Sequence, residues 1–363
     1  MHIVFLADVI DNQNAGIHFY TSNLIKSLVD ADKENTYSFI HQRENSFFDE
    51  LKNYIIPSRK NLGYESFRKL YLIPKLLKKI KADIVIEPCH IGPFHVPKNI
   101  KKITIIHDLT PLLFPQFHTR ISVFTHRLLL GKTIKNANLI LVPSETTKQD
   151  ILTRYKTSAE IVVTSEGVSS QPNGDNPQEK PANLAHIHAP YILFIGTIEP
   201  RKNLSTLIDS FSELKKSHKI PHKLILGGGI GWRNTETLEK AKQSKDVVLT
   251  GYLTEQEKKY LYQNADMFVY PSIYEGFGLP PLEAMNYDIP VICSTGGSLK
   301  EIFSGHSLSF NPFYKEKLKR HILTLIDNPE LRDSLAKEGQ KYAATFTWER
   351  TAKRVMEAME KLR

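Results

Sequence analysis

The sequence predicts two α/β domains joined near residue 180, each a parallel β-sheet with helices on both faces. Three observations carry this. Short apolar runs alternate with longer amphipathic stretches from the N-terminus onward. The alternation stops around residues 169–190, where Ser-Ser-Gln-Pro-Asn-Gly-Asp-Asn-Pro-Gln-Glu-Lys-Pro has turn formers and no apolar period, and then restarts. A chain of 363 residues is also too long for one simple core, and domains run to about 100–200 residues each.

In chain order, residues 2–7 (His-Ile-Val-Phe-Leu-Ala) read as a buried first strand. A helix over 16–30 follows from the spacing of Tyr20, Leu24 and Leu28. Residues 36–41 form a second strand. Residues 70–80 are helical, with Leu72, Leu76, Leu77 and Ile80 on one side and Lys75, Lys78 and Lys79 on another. Further strands are predicted over 84–87, 103–107 and 139–143. Past the interruption, strands are predicted over 191–196, 223–226, 247–249, 267–270 and 291–293, with a helix over 204–214. A last helix over 348–362 carries Ala352, Val355, Met356 and Met359 on one face.

Open α/β sheets bind ligands at the carboxyl ends of their strands. After the 191–196 strand comes Thr-Ile-Glu-Pro-Arg-Lys-Asn-Leu, which puts Arg201 and Lys202 where the next helix begins. Two cations beside the positive end of a helix dipole suit a diphosphate. Paired surface cations are equally common, and on chemistry alone both readings stand. The run from Tyr270 to Met285 reads Tyr-Pro-Ser-Ile-Tyr-Glu-Gly-Phe-Gly-Leu-Pro-Pro-Leu-Glu-Ala-Met. It predicts a tight loop at Glu275-Gly-Phe-Gly, then a helix whose first turn takes Pro280 and Pro281. Gly276 and Gly278 allow close backbone approach to a ligand. Glu275 in the loop and Glu283 in the first helical turn can then face one polyhydroxyl ligand. The plainer alternative makes Glu283 a helix-capping acid.

This run resembles the Glu-x7-Glu motif of retaining glycosyltransferases of family 4, which have the GT-B fold. Glu199-Pro-Arg-Lys-Asn203 resembles that family's diphosphate loop, and together the two runs resemble mannosyltransferases of surface-polysaccharide assembly. The order of motifs and the final helix extend the likeness over nearly the whole chain. The resemblance implies two Rossmann-like domains facing a cleft. Residues 1–180 would take the acceptor, residues 181–346 would hold the nucleotide sugar, and the helix over 347–363 would cross back to the N-terminal domain. It also implies roles. Glu275 lies beside the donor sugar, and Gly276, Phe277, Gly278 and Leu279 line the sugar and phosphates. Glu283 binds ribose hydroxyls, while Lys202 and Arg201 clamp the diphosphate. Tyr252 and Leu253, after Gly251, border the base. Gly16 packs against the phosphates, and His107 with Asp108 lies near the reacting carbon. One departure stands out: many relatives have arginine after the glycine closing the 191–196 strand, and here it is Thr197.

The implied reaction is transfer with retained configuration from a nucleotide sugar, GDP-mannose first and UDP-sugars second, to a glycan or lipid-linked acceptor. It calls for no cofactor and no metal. Asp30-Ala-Asp32 sits at the end of a predicted surface helix and reads as solvated, and His186-Ile-His188 lies in the linker without cysteine partners. Leu226-Gly-Gly-Gly-Ile-Gly-Trp232 follows a strand but fails the dinucleotide fingerprint, because Trp232 or Asn234 stands where the third glycine belongs. It reads as a flexible loop.

The formal charge is +9. Residues 51–135 hold sixteen Lys and Arg against four Asp and Glu, a formal +12, which leaves −3 for the remainder. Such a block faces nucleic acid, an anionic membrane or only solvent. A non-enzymatic nucleic-acid-binding protein is the competing reading, but Tyr54, Tyr64, Phe67 and Tyr71 fit helix or core spacing as well as a stacking platform. Lipid-linked acceptors favour a membrane surface and no nucleic acid. Two cysteines, Cys89 and Cys293, exclude a disulfide framework and suggest a reducing compartment. No window approaches the roughly 18–20 apolar residues of a membrane span, and the N-terminus does not read as a signal peptide. The expected location is cytoplasmic, peripheral at the inner face of the membrane.

Overall fold

The computed structural model describes residues 1–12, 15–59, 61, 63–168 and 180–363. The chain divides into two compact units. The first is Met1–Leu113, Arg120–Gly167 and Trp348–Arg363; the second is Phe114–Thr119 and Val168–Thr347. The partition falls at Gly167/Val168, earlier than the predicted 180. The interruption predicted over 169–190 lies outside the described residues as far as 179; beyond it the chain makes a 3-10 turn at Ala182–Leu184. Phe114–Thr119 joins the second unit because Phe114 packs 5.3 Å from the Tyr274 ring and Trp232 donates to the Phe117 carbonyl.

The first unit holds β1 (His2–Leu6), β2 (Thr36–His41), β3 (Asn53–Ile55), β4 (Ile84–Glu87), β5 (Lys101–Ile105), β6 (Leu139–Val142) and β7 (Glu160–Val163). They form one parallel sheet in the order β3-β2-β1-β4-β5-β6-β7. Side chains alternate across a strand, and here both faces are covered. Ile3 and Phe5 of β1 join one core, with Tyr20, Leu24 and Leu28 of the helix Ala15–Ala31. Val4 and Leu6 join the other, with Ile73 and Leu77. The C-terminal helix Trp348–Glu360 belongs to this unit and buries Trp348, Ala352, Val355 and Met359 in the first of these cores. Each large side chain contributes roughly 1.5–3 kcal/mol.

The second unit holds β8 (Tyr191–Ile195), β9 (Lys223–Gly227), β10 (Val247–Gly251), β11 (Met267–Tyr270), β12 (Val291–Ser294) and β13 (Leu308–Phe310), parallel in the order β10-β9-β8-β11-β12-β13. The order reverses between β8 and β11, a topological switch point.

Three strands are not foreseen by the pattern: β3, β7 and β13. Each has only three or four residues and lies at a sheet edge. The helix predicted over 70–80 is a π turn, Arg68–Leu72, followed by an α-helix, Ile73–Lys79. Pro74 has no N–H for the Leu70 carbonyl, which accounts for the wider turn before it.

Two sequence readings need correction. Asp32 is not solvated: it is 9% exposed and accepts from the Tyr37 hydroxyl at 2.6 Å and from Asn35. Arg68, in the basic block over 51–135 read as facing an anionic surface or solvent, is fully buried and forms a two-pronged pair with Asp8 at 2.6 Å in each arm. The cations that follow it, Lys69, Lys75, Lys78, Lys79 and Lys81, are exposed.

Candidate functional site

The loops after β8 and β11 leave the sheet at the switch point and are stitched together. Ile273 N–H donates to the Arg201 carbonyl at 2.8 Å, and the Asn203 side-chain amide donates to the Pro271 carbonyl at 3.2 Å. The glycine run after β9 has a packing reason. A Cβ on Gly228, at φ +135°, meets the Gly196 carbonyl oxygen at 2.2 Å, so these two strand ends lie backbone to backbone.

Between the loops sits a compact ion cluster. Glu275 Oε2 accepts from Arg201 Nη1 at 2.6 Å, and its Oε1 accepts from Lys202 Nζ at 2.7 Å and Ser272 Oγ at 2.5 Å. Lys202 Nζ also donates to the Tyr270 hydroxyl at 2.6 Å. Arg201 Nη1 donates to the Tyr274 carbonyl at 2.8 Å, and Nη2 donates to Glu199 Oε1 at 2.6 Å. Burial pushes the Glu275 carboxyl up, but Arg201, Lys202 and the Ser272 hydroxyl outweigh it and hold it at about 2. Burial, with Arg201 adding to it, pulls the Lys202 ammonium below its ordinary value against the pull of Glu275. The sheet thus presents a buried ammonium and a half-buried guanidinium at its switch point, in the loops that lead into the helices Leu204–His218 and Leu279–Asn286.

Glu283 stands apart from this cluster. It lies in the second turn of its helix, not the first as predicted, because the helix starts at Leu279. Its carboxylate accepts from the Tyr262 hydroxyl at 3.0 Å and Lys258 Nζ at 3.1 Å. Burial raises its carboxyl above the ordinary value although Lys258 opposes this. The two glutamates therefore occupy separate networks. Gly278 has a packing reason of its own: at φ +115° a Cβ there meets Leu299 at 2.6 Å and Phe303 at 2.8 Å. The Ser298 hydroxyl, in contact with the Glu275 and Phe277 carbonyls at 2.9 Å, fixes the loop around Gly276. Phe277 is buried, Leu279 and Leu253 are half-buried, and Tyr252 is 81% exposed.

The first unit carries the remaining predicted residues. His107 lies just past β5, with Nε2 2.9 Å from the Pro88 carbonyl and the Tyr20 ring edge-on at 4.8 Å. Its Nδ1 is 3.9 Å from Glu166 Oε1. Asp108 turns its Oδ1 toward the Thr110 N–H at 2.8 Å and hydroxyl at 2.6 Å, which caps the short helix Thr110–Leu113. Gly16 is the second residue of its helix, and a Cβ there meets nothing within 4 Å.

The family model for glycosyl transferases group 1 matches residues 175–342, and the model for glycosyltransferase family 4 matches residues 15–171. The chain belongs to the family 4 glycosyltransferases. The enzyme is 28% identical to O-antigen chain mannosyltransferase B of Escherichia coli, over the whole of both chains. Its fold is that of sucrose-phosphate synthase from Thermosynechococcus elongatus, with a TM-score of 0.76 at 18% identity, covering 100% of this chain and 99% of the other. It is equally that of Anabaena HepE solved with UDP-glucose, with a TM-score of 0.75 at 15% identity, covering 99% and 100%. These are GT-B structures, and the two parallel sheets match them.

Several members of the glycosyltransferase's clusters escape sequence reasoning. Tyr270, Lys258 and Tyr262 read as ordinary core or helix-surface residues, and Glu166 lies in a stretch without a motif. Glu199 was visible as part of its run, but nothing in the spacing marked it as a counter-ion. Among the described residues no group of three or more His, Cys, Asp or Glu is placed to hold a metal. No described helix is long and apolar enough to cross a membrane.

Proposed function

We propose that the enzyme transfers mannose, with retention, from GDP-mannose to a glycan or lipid-linked acceptor in cell-surface polysaccharide synthesis, in the cytoplasm and without a metal. The second unit takes the donor and the first the acceptor. The observation that carries the donor reading is the Arg201–Lys202–Glu275 cluster at the switch point of the second sheet. Leaving-group departure puts negative charge on a diphosphate. Two fixed cations and two helix N-termini stabilise that charge without reorganising. The exposed Tyr252 offers the base a flat face, and Glu283 offers the ribose an acceptor. Glu275 is held by three donors and is not free for nucleophilic attack. This supports front-face reaction, in which a donor phosphate oxygen takes the acceptor's proton and His107 orients the sugar. Mannose rests on the full-length similarity to the E. coli mannosyltransferase.

A thermal-shift panel of nucleotide sugars tests this. GDP-mannose at about 100 times its Kd is expected to add roughly 2.7 kcal/mol, and the product keeps the donor's anomeric configuration by NMR. Stabilisation by UDP-sugars alone moves the donor to the second reading. An inverted product, or no response to any nucleotide sugar, overturns the proposal.

The anionic membrane surface is proposed within residues 51–135. Buried Arg68 takes no part in it. The helix Arg120–Asn136 shows Ile121, Phe124 and Leu128 at 80%, 67% and 56% exposure, three or four residues apart, bordered by exposed Arg120, Arg127 and Lys132. An outward apolar stripe edged with cations fits an anionic bilayer surface. Phe124→Glu is expected to cut sedimentation with anionic vesicles at least fivefold with little change in Tm. Equal binding of the unaltered protein to neutral and anionic vesicles overturns it.

A further inference from the structure

We propose that Glu199 is an internal counter-ion that holds Arg201 before the donor binds and gives it up to the donor's diphosphate. The inference rests on the reading of Arg201 and Lys202 as the diphosphate cations. Arg201 divides its fork between two carboxylates, Nη1 on Glu275 and Nη2 on Glu199, each at 2.6 Å. The two carboxylates are held very differently. Glu275 is fixed by Arg201, Lys202 and Ser272 together. Among the described residues Glu199 has one anchor: its Oε1 meets Arg201, while its Oε2 is buried with no hydrogen-bond partner. A buried carboxylate oxygen left without a donor is costly. Glu199 is thus the less satisfied of the two, and the one whose release costs less.

The charge count makes release useful. Glu199, Arg201, Lys202 and Glu275 sum to zero, and all four side chains are at most 12% exposed. A dianion arriving at a neutral cluster gains little attraction, and it meets a like charge at Glu199 across a poorly screening interior. Taking Glu199's place on Arg201 Nη2 removes that obstacle and satisfies the same donor with a phosphoryl oxygen. Only a side chain has to turn. Glu199 is extended (φ −142°, ψ 159°), and its carbonyl accepts the Lys202 N–H at 3.1 Å, which keeps the loop in place. The device also works in reverse. Glu199 reclaims Arg201 as the nucleoside diphosphate leaves, so it weakens product binding.

The test uses inorganic pyrophosphate, which presents the diphosphate without a base, titrated by calorimetry into the full chain. Glu199→Gln keeps an oxygen for Arg201 Nη2 and loses the charge. Its Kd for pyrophosphate is expected to fall about tenfold, and inhibition by the nucleoside diphosphate product to strengthen by a similar factor. Should this variant fail to fold, Glu199→Met fills the same space and is expected to show the same gain. Unchanged or weaker pyrophosphate binding by a folded variant, as judged by its circular dichroism, overturns the inference. Lys202→Ala run in parallel separates the two ideas. If Lys202→Ala still binds pyrophosphate normally, the diphosphate reading fails and this inference with it. If Lys202→Ala loses pyrophosphate while Glu199→Gln shows no gain, the counter-ion role alone fails.

Discussion

Lys202→Ala is expected to lower kcat/KM about 10²–10³-fold, the usual cost of removing one preorganised donor from developing charge. The ammonium is buried and held in place by the Tyr270 hydroxyl and Glu275, so no flexible surface lysine can substitute for it. The loss falls on activity more than on the fold. Glu275 still has Arg201 and Ser272 after the truncation, so its charge is not orphaned. Glu275→Ala is the opposite case, because it leaves the buried Lys202 ammonium without its carboxylate beside Arg201, which keeps only Glu199, and it loses stability as well. Lys202→Arg is expected not to rescue, since a planar fork does not fit where a compact ammonium sits between a phenol and a carboxylate. Steady-state kinetics with circular dichroism of each variant checks this. A kcat/KM within fivefold of the parent enzyme for Lys202→Ala refutes the assignment.

The two sheets were legible because their central strands are buried on both faces and read as unbroken apolar runs. Residues 36–41, 84–87 and 267–270 match β2, β4 and β11 residue for residue. Of the four edge strands only β10 was legible, and the others were not for the same reason turned round: β3 and β7, for instance, are partly exposed and lack the run. At the candidate site, Arg201, Lys202 and Glu275 stood out in the sequence because each lies in a loop that leaves a strand end. Their partnership could not. Glu199 and Glu275 reach Arg201 from two different loops, and only the folded chain sets one carboxylate on each arm. Gly278 has a packing demand that the sequence did not show: it comes from Leu299 and Phe303, residues that no local pattern connects to it. Charge misled: a cation among lysines reads as solvated, and nothing near Arg68 in sequence announces Asp8, sixty positions earlier.

That hidden pair carries the largest expected effect on stability. Arg68→Ala is expected to destabilise the first unit by about 3 kcal/mol, the lower end of the cost of breaking a buried ion pair from one side, because the Asp8 side chain keeps 20% exposure. Arg68 is 0% exposed, donates both arms to Asp8, and gives its Nε to the Ile56 carbonyl at 2.7 Å. It therefore ties the start of the helix Asp8–Asn12, just past β1, to the π turn and to the residue directly after β3. The alanine leaves the Asp8 carboxylate and the Ile56 carbonyl without their donor and opens a void the size of an arginine. Removing both charges is expected to be milder: Arg68→Met with Asp8→Asn loses less than Arg68→Ala alone, because no buried charge is stranded. The two tryptophans make the measurement specific. Trp348 packs 5.5 Å from the Tyr20 ring in the first unit, and Trp232 lies in the second. In a Trp232→Phe background, urea unfolding followed by Trp348 fluorescence reads the first unit alone. A shift below about 1 kcal/mol for Arg68→Ala, the range of an exposed ion pair, means that the pair is not holding the first unit together.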